Sequence, residues 1–310
     1  MSKTSYFGVN GVARNVKSWP VGIGNVARKA KSGYFGVGGV ARQFLSSGVD
    51  PVLNNNDWAT IRAVSDANQG ANYWSVGDTK TITINGKVGN TTFSNLSVDA
   101  FILGFNHNST KEGSNRIHFL IGKSGGKLVG LCDSGYGNEQ TSAGYFHMNT
   151  SRTNSGGWNG SAMRNTLLGN NGTPSSPTAN TLLAALPSDL RAVMKPVTKY
   201  TDNTANGGGN LKRYVTATTD YLFLLAEFEV HGSRTYANSY EQNSQAKYDY
   251  FKAGNSKIAY RHTATGTAVR WWLRSAVYTY STNFCCVDTA GGAKYFTSSW
   301  SEGVLPGFAV

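Results

Sequence analysis

The C-terminal segment begins Trp271-Trp272-Leu273-Arg274-Ser275 and ends Gly303-Val304-Leu305-Pro306-Gly307-Phe308-Ala309-Val310. Between these blocks, tyrosine and tryptophan are set among serine, threonine and asparagine. Antibody contact surfaces have this composition, because rigid rings combine there with adaptable polar groups. An aromatic-rich end of an ordinary β-sheet has it too, so composition alone leaves both interpretations open. Large apolar residues indicate a buried frame around the segment: Trp271, Trp272, Leu273, Phe284, Val287, Val304 and Phe308.

The composition of the whole chain favours short strands and turns over long helices. The chain has 310 residues, of which 39% are apolar and 15% charged, with 37 glycines against 7 prolines. That mixture is typical of a β-rich protein with many turns. No apolar run approaches the roughly 20 residues of a membrane helix, so we expect no membrane insertion. The N-terminus has no apolar block after its first lysine, so we expect no secretory signal.

Residue patterns after Val49 predict one α+β body with many short strands and two helices. The first helix is predicted near Gly160–Leu168, and the second begins with Ser188 as N-cap and ends at Met194 before Pro196. The segment Thr79–Val88 is predicted to be a hairpin that turns at Asn85-Gly86. Three further segments are predicted as strands: Phe101–Phe105, Ile117–Ile121 and Tyr221–Val230.

The first 48 residues contain a sequence repeat with a period of 14. The repeated heptads are Gly8–Arg14, Gly22–Arg28 and Gly36–Arg42. Each contains a pair suited to a tight hairpin turn, namely Asn10-Gly11, Gly24-Asn25 and Gly38-Gly39. We therefore predict three β-hairpins in residues 1–48 and a separate domain in residues 49–310. A single hairpin is marginal in water, so the hairpins would stack or pair with neighbouring chains; the alternative is a poorly structured tail.

The net charge of +12 is concentrated at the N-terminus. Residues 1–49 hold seven Lys or Arg and no Asp or Glu, which leaves +5 for the rest of the chain. A basic, glycine-rich arm can bind nucleic acid, whereas a dock for a protein partner or a solvated surface carries the same charge. Because the basic residues belong to the repeat, we favour attachment or oligomerisation over nucleic-acid binding.

Catalytic and metal-binding motifs were sought and not found, so we expect no enzyme, no cofactor and no metal. Glu227 and Glu229, two apart on a predicted strand, suit acid–base chemistry, but a structural charge cluster is the favoured interpretation. Three cysteines, two of them adjacent, do not form a disulfide framework and indicate synthesis in a reducing cytoplasm. His107 and His147 are expected to be structural, and Asn54-Asn55-Asn56-Asp57 is a weak calcium candidate.

Several blocks in fixed order resemble a family of gut phage and prophage proteins with a C-terminal C-type-lectin-like module. This family includes variable proteins of diversity-generating retroelements. Leu305, where the family commonly has Arg, and Ala276, where it commonly has Pro, depart from its pattern. The resemblance covers roughly residues 72–310, and the N-terminal repeats also resemble those of gut-phage virion proteins. The blocks are Ser155-Gly156-Gly157-Trp158, Ser161-Ala162-Met163-Arg164, Leu186-Pro187-Ser188-Asp189-Leu190, Tyr221-Leu222-Phe223-Leu224-Leu225, Trp271-Trp272-Leu273-Arg274-Ser275 and Gly303-Val304-x-Pro306-x-Phe308.

The resemblance implies a C-type-lectin-like fold, shared with formylglycine-generating enzymes, that displays a hypervariable segment at about residues 275–302. Retroelement mutagenesis cannot yield Trp, Met, Lys, Glu or Gln, and residues 276–288 contain none of these. The adjacent Cys285 and Cys286 would then be products of random substitution. Calcium-dependent sugar binding does not carry over, because the lectin calcium motifs are absent. The implied ligand-binding residues are Val277, Tyr278, Thr279, Tyr280, Thr282, Asn283, Cys285, Asp288, Tyr295 and Trp300.

These implications lead to a non-enzymatic, receptor-binding protein of a bacteriophage or prophage tail tip. It would be made in the bacterial cytoplasm and act in the virion, where it binds a protein or glycan receptor on a bacterial surface. Residues 1–48 would contact other tail proteins, and we expect a homo-oligomer, with a trimer as the leading possibility. Two alternatives remain open: a prophage-encoded surface adhesin, and an oxidase or hydrolase that acts on cell-wall material through Glu227, Glu229 or Cys132.

Overall fold

A computed structural model of the chain describes residues 48–310 without a gap and, before them, six strands that pair as three antiparallel hairpins. Equivalent positions pair in each hairpin: Gly8 with Ala13, Gly22 with Ala27 and Gly36 with Ala41. The predicted turn pairs Asn10-Gly11, Gly24-Asn25 and Gly38-Gly39 lie outside the described residues. The strands are β1 (Tyr6–Val9), β2 (Val12–Asn15), β3 (Pro20–Ile23), β4 (Val26–Lys29), β5 (Ser32–Val37) and β6 (Val40–Ser46).

The chain divides into two compact units, Met1–Pro51 and Val52–Val310. The second unit is a mixed α+β body that contains more sheet than helix. Its main sheet has the strand order β14-β13-β10-β9-β8-β7, and β18 also pairs with β9. The strands of this sheet are β7 (Thr79–Val88), β8 (Thr91–Phe105), β9 (Ile117–Ser124), β10 (Lys127–Gly130), β13 (Ala259–Arg261), β14 (Ala264–Val269) and β18 (Gly307–Ala309).

The predicted strands Phe101–Phe105 and Ile117–Ile121 are confirmed as parts of β8 and β9. The predicted turn at Asn85-Gly86 is wrong, because β7 continues through it to Val88. Its register against β8 shifts between Ile84 and Gly86, so the positive φ of Gly86 serves a bulge. The chain reverses after Val88 instead, before Thr91 begins β8.

Helices in the body are more numerous and shorter than the two predicted. The longest, α1 (Trp58–Asp66), has nine residues and an Asp57 N-cap that accepts from the Thr60 N–H at 2.7 Å. No helix among the described residues is long and apolar enough to cross a membrane. The other α-helices are α2 (Gly70–Tyr73), α3 (Ser109–Glu112), α4 (Gly157–Gly160), α5 (Leu182–Ala185), α6 (Ser188–Arg191), α7 (Glu227–His231) and α8 (Asp249–Lys252). Short 3₁₀ turns are formed by Leu53–Asn55, Lys212–Tyr214 and Ser239–Asn243.

Both predicted helices have different bounds from those expected. The first is divided into α4 and a π-helical turn at Met163–Leu168, because the backbone is extended at Ser161 between them. The second ends at Arg191 rather than Met194. Its N-cap is Pro187, and Ser188 is its first residue. The error at Ser188 is one position, which is the usual uncertainty of a helix boundary.

The prediction of a strand over Tyr221–Val230 is also wrong. Residues 222–226 are fully buried, but the main-chain pairing there is a bridge from Phe223 to Gly307. The helix α7 follows, and the carboxylate of Glu229 accepts from the Ala226 N–H at 2.9 Å at the start of this helix. An acidic side chain at that position satisfies a helix donor that would otherwise lack a partner.

The core of the main sheet is closed by the C-terminus of the chain. Phe308 on β18 stacks on Phe119 of β9 with ring centroids 5.1 Å apart, and Trp58 of α1 packs edge-on against both rings. All three side chains are buried. The assignment of Phe308 to the frame is therefore confirmed. Two smaller sheets complete the body: β11 (Val197–Asp202) with β12 (Val215–Asp220), and β15 (Trp271–Ala276), β16 (Asn283–Val287) and β17 (Ala293–Thr297) in that order.

Candidate functional site

The C-terminal segment forms a three-stranded sheet whose first strand is inaccessible. All six residues of β15 are buried, and the strand pairs Trp272 with Cys286 and Ala276 with Phe284 on β16. The second strand then pairs with β17, so that Cys285 lies opposite Tyr295. The indole Nε1 of Trp272 donates to the Phe146 carbonyl at 3.0 Å. The buried strand β15 and its pairing with β16 therefore support the loop that joins these two strands.

That loop and the segments beside it carry a group of tyrosine side chains. Tyr280 is 49% exposed, and its ring lies 5.4 Å from the ring of Tyr295. Tyr295 meets the ring of Tyr236 edge-on at 4.8 Å, and the Arg234 guanidinium lies 5.7 Å from the Tyr278 ring. We call Arg234, Tyr236, Tyr278, Tyr280 and Tyr295 the tyrosine surface. Rings held by one another lose little side-chain entropy when they contact a ligand.

A single buried asparagine fixes the backbone of the loop. Asn154 is fully buried, and its Nδ2 donates to the carbonyls of Tyr280 at 2.7 Å, Asn283 at 2.9 Å and Val277 at 3.2 Å. Its backbone N–H donates to the Ser281 carbonyl at 2.7 Å. One residue thus contacts four carbonyls of the loop, with the two hydrogens of its amide shared among three of them. The backbone under the tyrosine surface is therefore organised before any ligand arrives.

Two other segments hold the edge of the tyrosine surface. The Tyr278 N–H donates to the Tyr236 carbonyl and the Gly209 N–H donates to the Tyr278 carbonyl, both at 3.1 Å. A Cβ on Gly207 would lie 3.4 Å from the Ser281 nitrogen. Gly207 therefore lies in ordinary contact with the loop that joins β15 to β16, and the positive φ of Gly207 (+67°) and Gly209 (+82°) is what favours glycine there.

Glu227 supports this surface from below and is fully buried. Its carboxylate accepts from the backbone N–H of Tyr236, at 3.0 and 3.2 Å, and from that of Ala237 at 2.8 Å. Charge-assisted hydrogen bonds of this kind are strong. Glu227 therefore positions the backbone of Tyr236.

A buried ionic network lies behind the loop. Arg274 forms a two-pronged ion pair with Glu229, with N–O distances of 2.5 and 2.8 Å, and Lys199 binds the same carboxylate at 3.0 Å. Lys199 also binds Glu112 at 2.7 Å and the Tyr248 hydroxyl at 2.9 Å. Burial favours a raised pKa for Glu229, but Arg274 and Lys199 outweigh it and hold that pKa below its usual range. The favoured interpretation of Glu229 as part of a structural charge cluster agrees with these contacts.

The same network bears on metal binding. Donor atoms of His107, Glu112 and Glu229 lie within 4.8 Å of one another. The ammonium of Lys199 contacts both carboxylates, so a positive charge already occupies the place that a metal ion would take. Burial, followed by the charge of Lys199, lowers the pKa of His107 to about 3. The arrangement therefore fits an internal ion pair with a neutral histidine beside it.

The residues predicted to bind ligand do not form one continuous set. Asp288 caps its own turn by accepting from the Ala290 and Gly292 N–H groups, at the end of β16 remote from Asn283. Trp300 packs edge-on against Phe296 at 5.0 Å and lies next to Glu139. The half-buried or exposed members around the loop are Tyr278, Thr279, Tyr280, Thr282, Asn283 and Tyr295.

Two of the predicted residues are corrected by their burial. Val277 and Cys285 have no exposed area and cannot present their side chains to a ligand. Val277 pairs with Ala237, and Cys285 lies in the middle strand of the sheet. Burial raises the pKa of the Cys285 thiol well above its usual value. We therefore leave both residues out of the tyrosine surface.

Several contacts around the tyrosine surface have no signal in the sequence. Asn154, Arg234 and Tyr236 lie outside the predicted variable segment, and no local pattern marks them. Glu227 accepts hydrogen bonds from two main-chain amides, which agrees with the favoured structural interpretation rather than with the acid–base alternative. The third residue considered for catalysis, Cys132, is buried, and burial raises its pKa to about 12. A thiol with that pKa is not a reactive nucleophile at neutral pH.

Comparison with known proteins gives one match. The family model described as "Domain of unknown function (DUF6273)" matches residues 140–310, and the chain belongs to this family. The matched region contains Asn154, Glu227 and the whole tyrosine surface. No curated protein and no solved structure matches the chain.

Proposed function

We propose that this DUF6273 chain is a non-enzymatic ligand-binding protein that recognises a bacterial surface receptor through its tyrosine surface. The carrying observation is that the exposed ring of Tyr280, in contact with the half-buried Tyr295, lies on a loop whose carbonyls are bonded to one fully buried asparagine, Asn154. Recognition needs side chains that present large contact area without a large loss of entropy. Tyr280 and Tyr295 meet that requirement.

The finer fold that we propose is C-type-lectin-like. The supporting features are the mixed α+β body, the β15–β17 sheet and the loop displayed between two of its strands. The family resemblance in the Trp271–Ser275 block and the Gly303–Phe308 block supports the same fold. The first block forms the beginning of strand β15, which is wholly buried. Val304, Leu305 and Phe308 of the second block are buried as well.

We propose a virion tail tip as the place where the protein acts and a diversity-generating retroelement as the source of variation. Both rest on the family resemblance. The burial pattern adds a restriction, because substitutions at Val277, Phe284 or Cys285 change the interior of the sheet. Random substitution is therefore best tolerated at Tyr278–Asn283 and at Tyr295, where side chains are half-buried or exposed rather than enclosed.

The proposed role of residues 1–48 is attachment and oligomerisation. Each hairpin is a separate two-stranded sheet in the structure, with the same pairing in all three repeats. A two-stranded sheet leaves the outer edge of both strands open to further pairing. Other tail proteins or further copies of the chain can pair with these edges, and we propose a trimer.

The proposed function is tested by measuring how the full-length protein binds host bacteria. The test variant is Tyr280→Ala with Tyr295→Ala, and the control is Tyr260→Ala, a half-buried tyrosine on β13 of the main sheet. We expect the double variant to lose at least about tenfold in affinity, because truncation of interface tyrosines commonly costs 1 kcal/mol or more each. Equal binding by the wild type and the double variant, with both folded, would refute the proposal.

A further inference from the structure

A second concave site lies on a part of the body that the proposed function does not use. It is an open groove of about 540 Å³ between α6 and the loop that contains Thr173. Grooves of a few hundred Å³ are the usual size of small-ligand sites. Four side chains that line it carry hydroxyl groups: Thr173, Ser175, Ser188 and Tyr221.

The walls of the groove are fixed by main-chain and amide contacts. Thr173 and Ser176 exchange backbone hydrogen bonds at 3.2 and 3.0 Å, which closes the loop on itself. Asn170 fixes the backbone at Tyr221, because its Oδ1 accepts from the Tyr221 N–H at 2.9 Å and its Nδ2 donates to the Leu222 carbonyl at 2.6 Å. A ligand therefore meets a preformed wall.

Arg191 lines the groove with most of its hydrogen-bonding capacity unused. A guanidinium has five N–H donors. Among the described residues, the guanidinium of Arg191 makes one hydrogen bond, from Nη1 to the Pro174 carbonyl at 3.3 Å, and forms no ion pair. Its Nε is buried without a partner. No carboxylate lines the groove, so nothing within it neutralises this charge.

We propose that this groove binds an acidic sugar, meaning a saccharide unit that carries a carboxylate. The hydroxyl groups of Thr173, Ser175, Ser188 and Tyr221 can donate to and accept from sugar hydroxyls. The guanidinium of Arg191 supplies the opposite charge for the carboxylate, and the planar fork of arginine suits that group. The proposal is independent of the tyrosine surface.

The test uses methionine methyl resonances of the full-length chain. The chain has four methionines, of which Met194 lines the groove while Met148 and Met163 are buried elsewhere. The probes are methyl glucuronide and methyl glucoside, which differ in a carboxylate against a hydroxymethyl group. We expect the glucuronide to shift the Met194 methyl signal and leave Met148 and Met163 unmoved. We also expect it to bind about tenfold more tightly than the glucoside, since a charge-assisted hydrogen bond is worth that much.

Substitutions of Arg191 complete the test. Arg191→Met should remove the preference for glucuronide, while Arg213→Met, which removes an exposed arginine outside the groove, should keep it. Arg191→Lys keeps the charge without the fork and should retain part of the preference, so it serves if the methionine variant does not fold. Equal shifts by both sugars, no shift of Met194 at millimolar sugar, or an unchanged preference in both Arg191 variants would overturn the proposal.

Discussion

The side-chain amide of Asn154 donates to the carbonyl of Tyr280 at 2.7 Å, and the first of these residues is fully buried while the second is 49% exposed. The two are 126 residues apart in the sequence. This contact connects the interior of the body to the backbone of Tyr280, whose ring is the most exposed of the tyrosine surface. The side chain of Tyr280 takes no part in the contact, so it can change while the backbone stays in place.

Replacement of Asn154 by alanine should destabilise the protein and loosen the loop that joins β15 to β16. The variant removes the side-chain donor of the Val277 and Tyr280 carbonyls, while the Asn283 carbonyl keeps the Val277 N–H. We expect a loss of roughly 2–4 kcal/mol in the free energy of unfolding. Denaturant unfolding of Asn154→Ala measures this loss. The control is Asn203→Ala, which removes a half-buried asparagine that binds Thr216. A loss in Asn154→Ala no larger than in the control would show that the contact does not hold the loop.

Display residues and frame residues should respond differently to truncation. Tyr278→Ala combined with Tyr280→Ala should change the free energy of unfolding by about 1 kcal/mol or less. Trp272→Ala should cost roughly 3–5 kcal/mol, because the indole is fully buried and donates to the Phe146 carbonyl. Thermal unfolding of both variants provides the comparison. If the tyrosine pair melted the protein as badly as Trp272→Ala, the display interpretation would be wrong.

The buried network should be sensitive to loss of one charge. Glu229→Gln leaves Arg274 without its full partner and weakens the bond to Lys199, so we expect a loss of roughly 3–5 kcal/mol. Glu139→Gln is the matched control, since Glu139 pairs with Arg152, whose side chain is 65% exposed. Exposed pairs contribute about 0–1 kcal/mol. Equal unfolding midpoints for the two variants would contradict the structural role of Glu229.

Removal of residues 1–48 should separate assembly from binding. We expect the remaining fragment to stay folded, because Val52–Val310 forms a compact unit of its own. Light scattering should show an oligomer for the full chain and a smaller species for the fragment. The nucleic-acid alternative predicts that the arm binds DNA with an affinity that falls steeply as salt rises. An unchanged oligomeric state together with salt-sensitive DNA binding would overturn the assembly role.

Local patterns predicted the parts of the fold that depend on local chemistry. The apolar frame residues Trp272 and Phe308 are buried as expected, and Phe101–Phe105 is a strand. The Asn85-Gly86 pair has the composition of a hairpin turn but lies within β7, because the longer partner β8 continues the pairing past it. The pairing of β7 with β8 therefore decides the conformation of Asn85-Gly86, and the local composition of a turn does not.

The site was less predictable, since its contacts join distant parts of the chain. Asn154 and Glu227 hold the tyrosine surface through main-chain atoms, and a main-chain partner, whether carbonyl or N–H, leaves no trace in the sequence. The segment Ala276–Asp288 contains the loop after β15 and the strand β16. Its composition did not distinguish Tyr280, which is exposed, from Cys285, which is enclosed.

Comparison of related gene copies tests the account most directly. The coding sequences of closely related isolates would be aligned, and amino-acid differences would be counted at each position of the body. The account predicts that differences concentrate at Tyr278–Asn283 and Tyr295, while Asn154, Glu227 and Trp272 stay constant. Differences spread evenly over the body, or a constant tyrosine loop with changes elsewhere, would contradict the claim that a fixed frame displays a changeable binding surface.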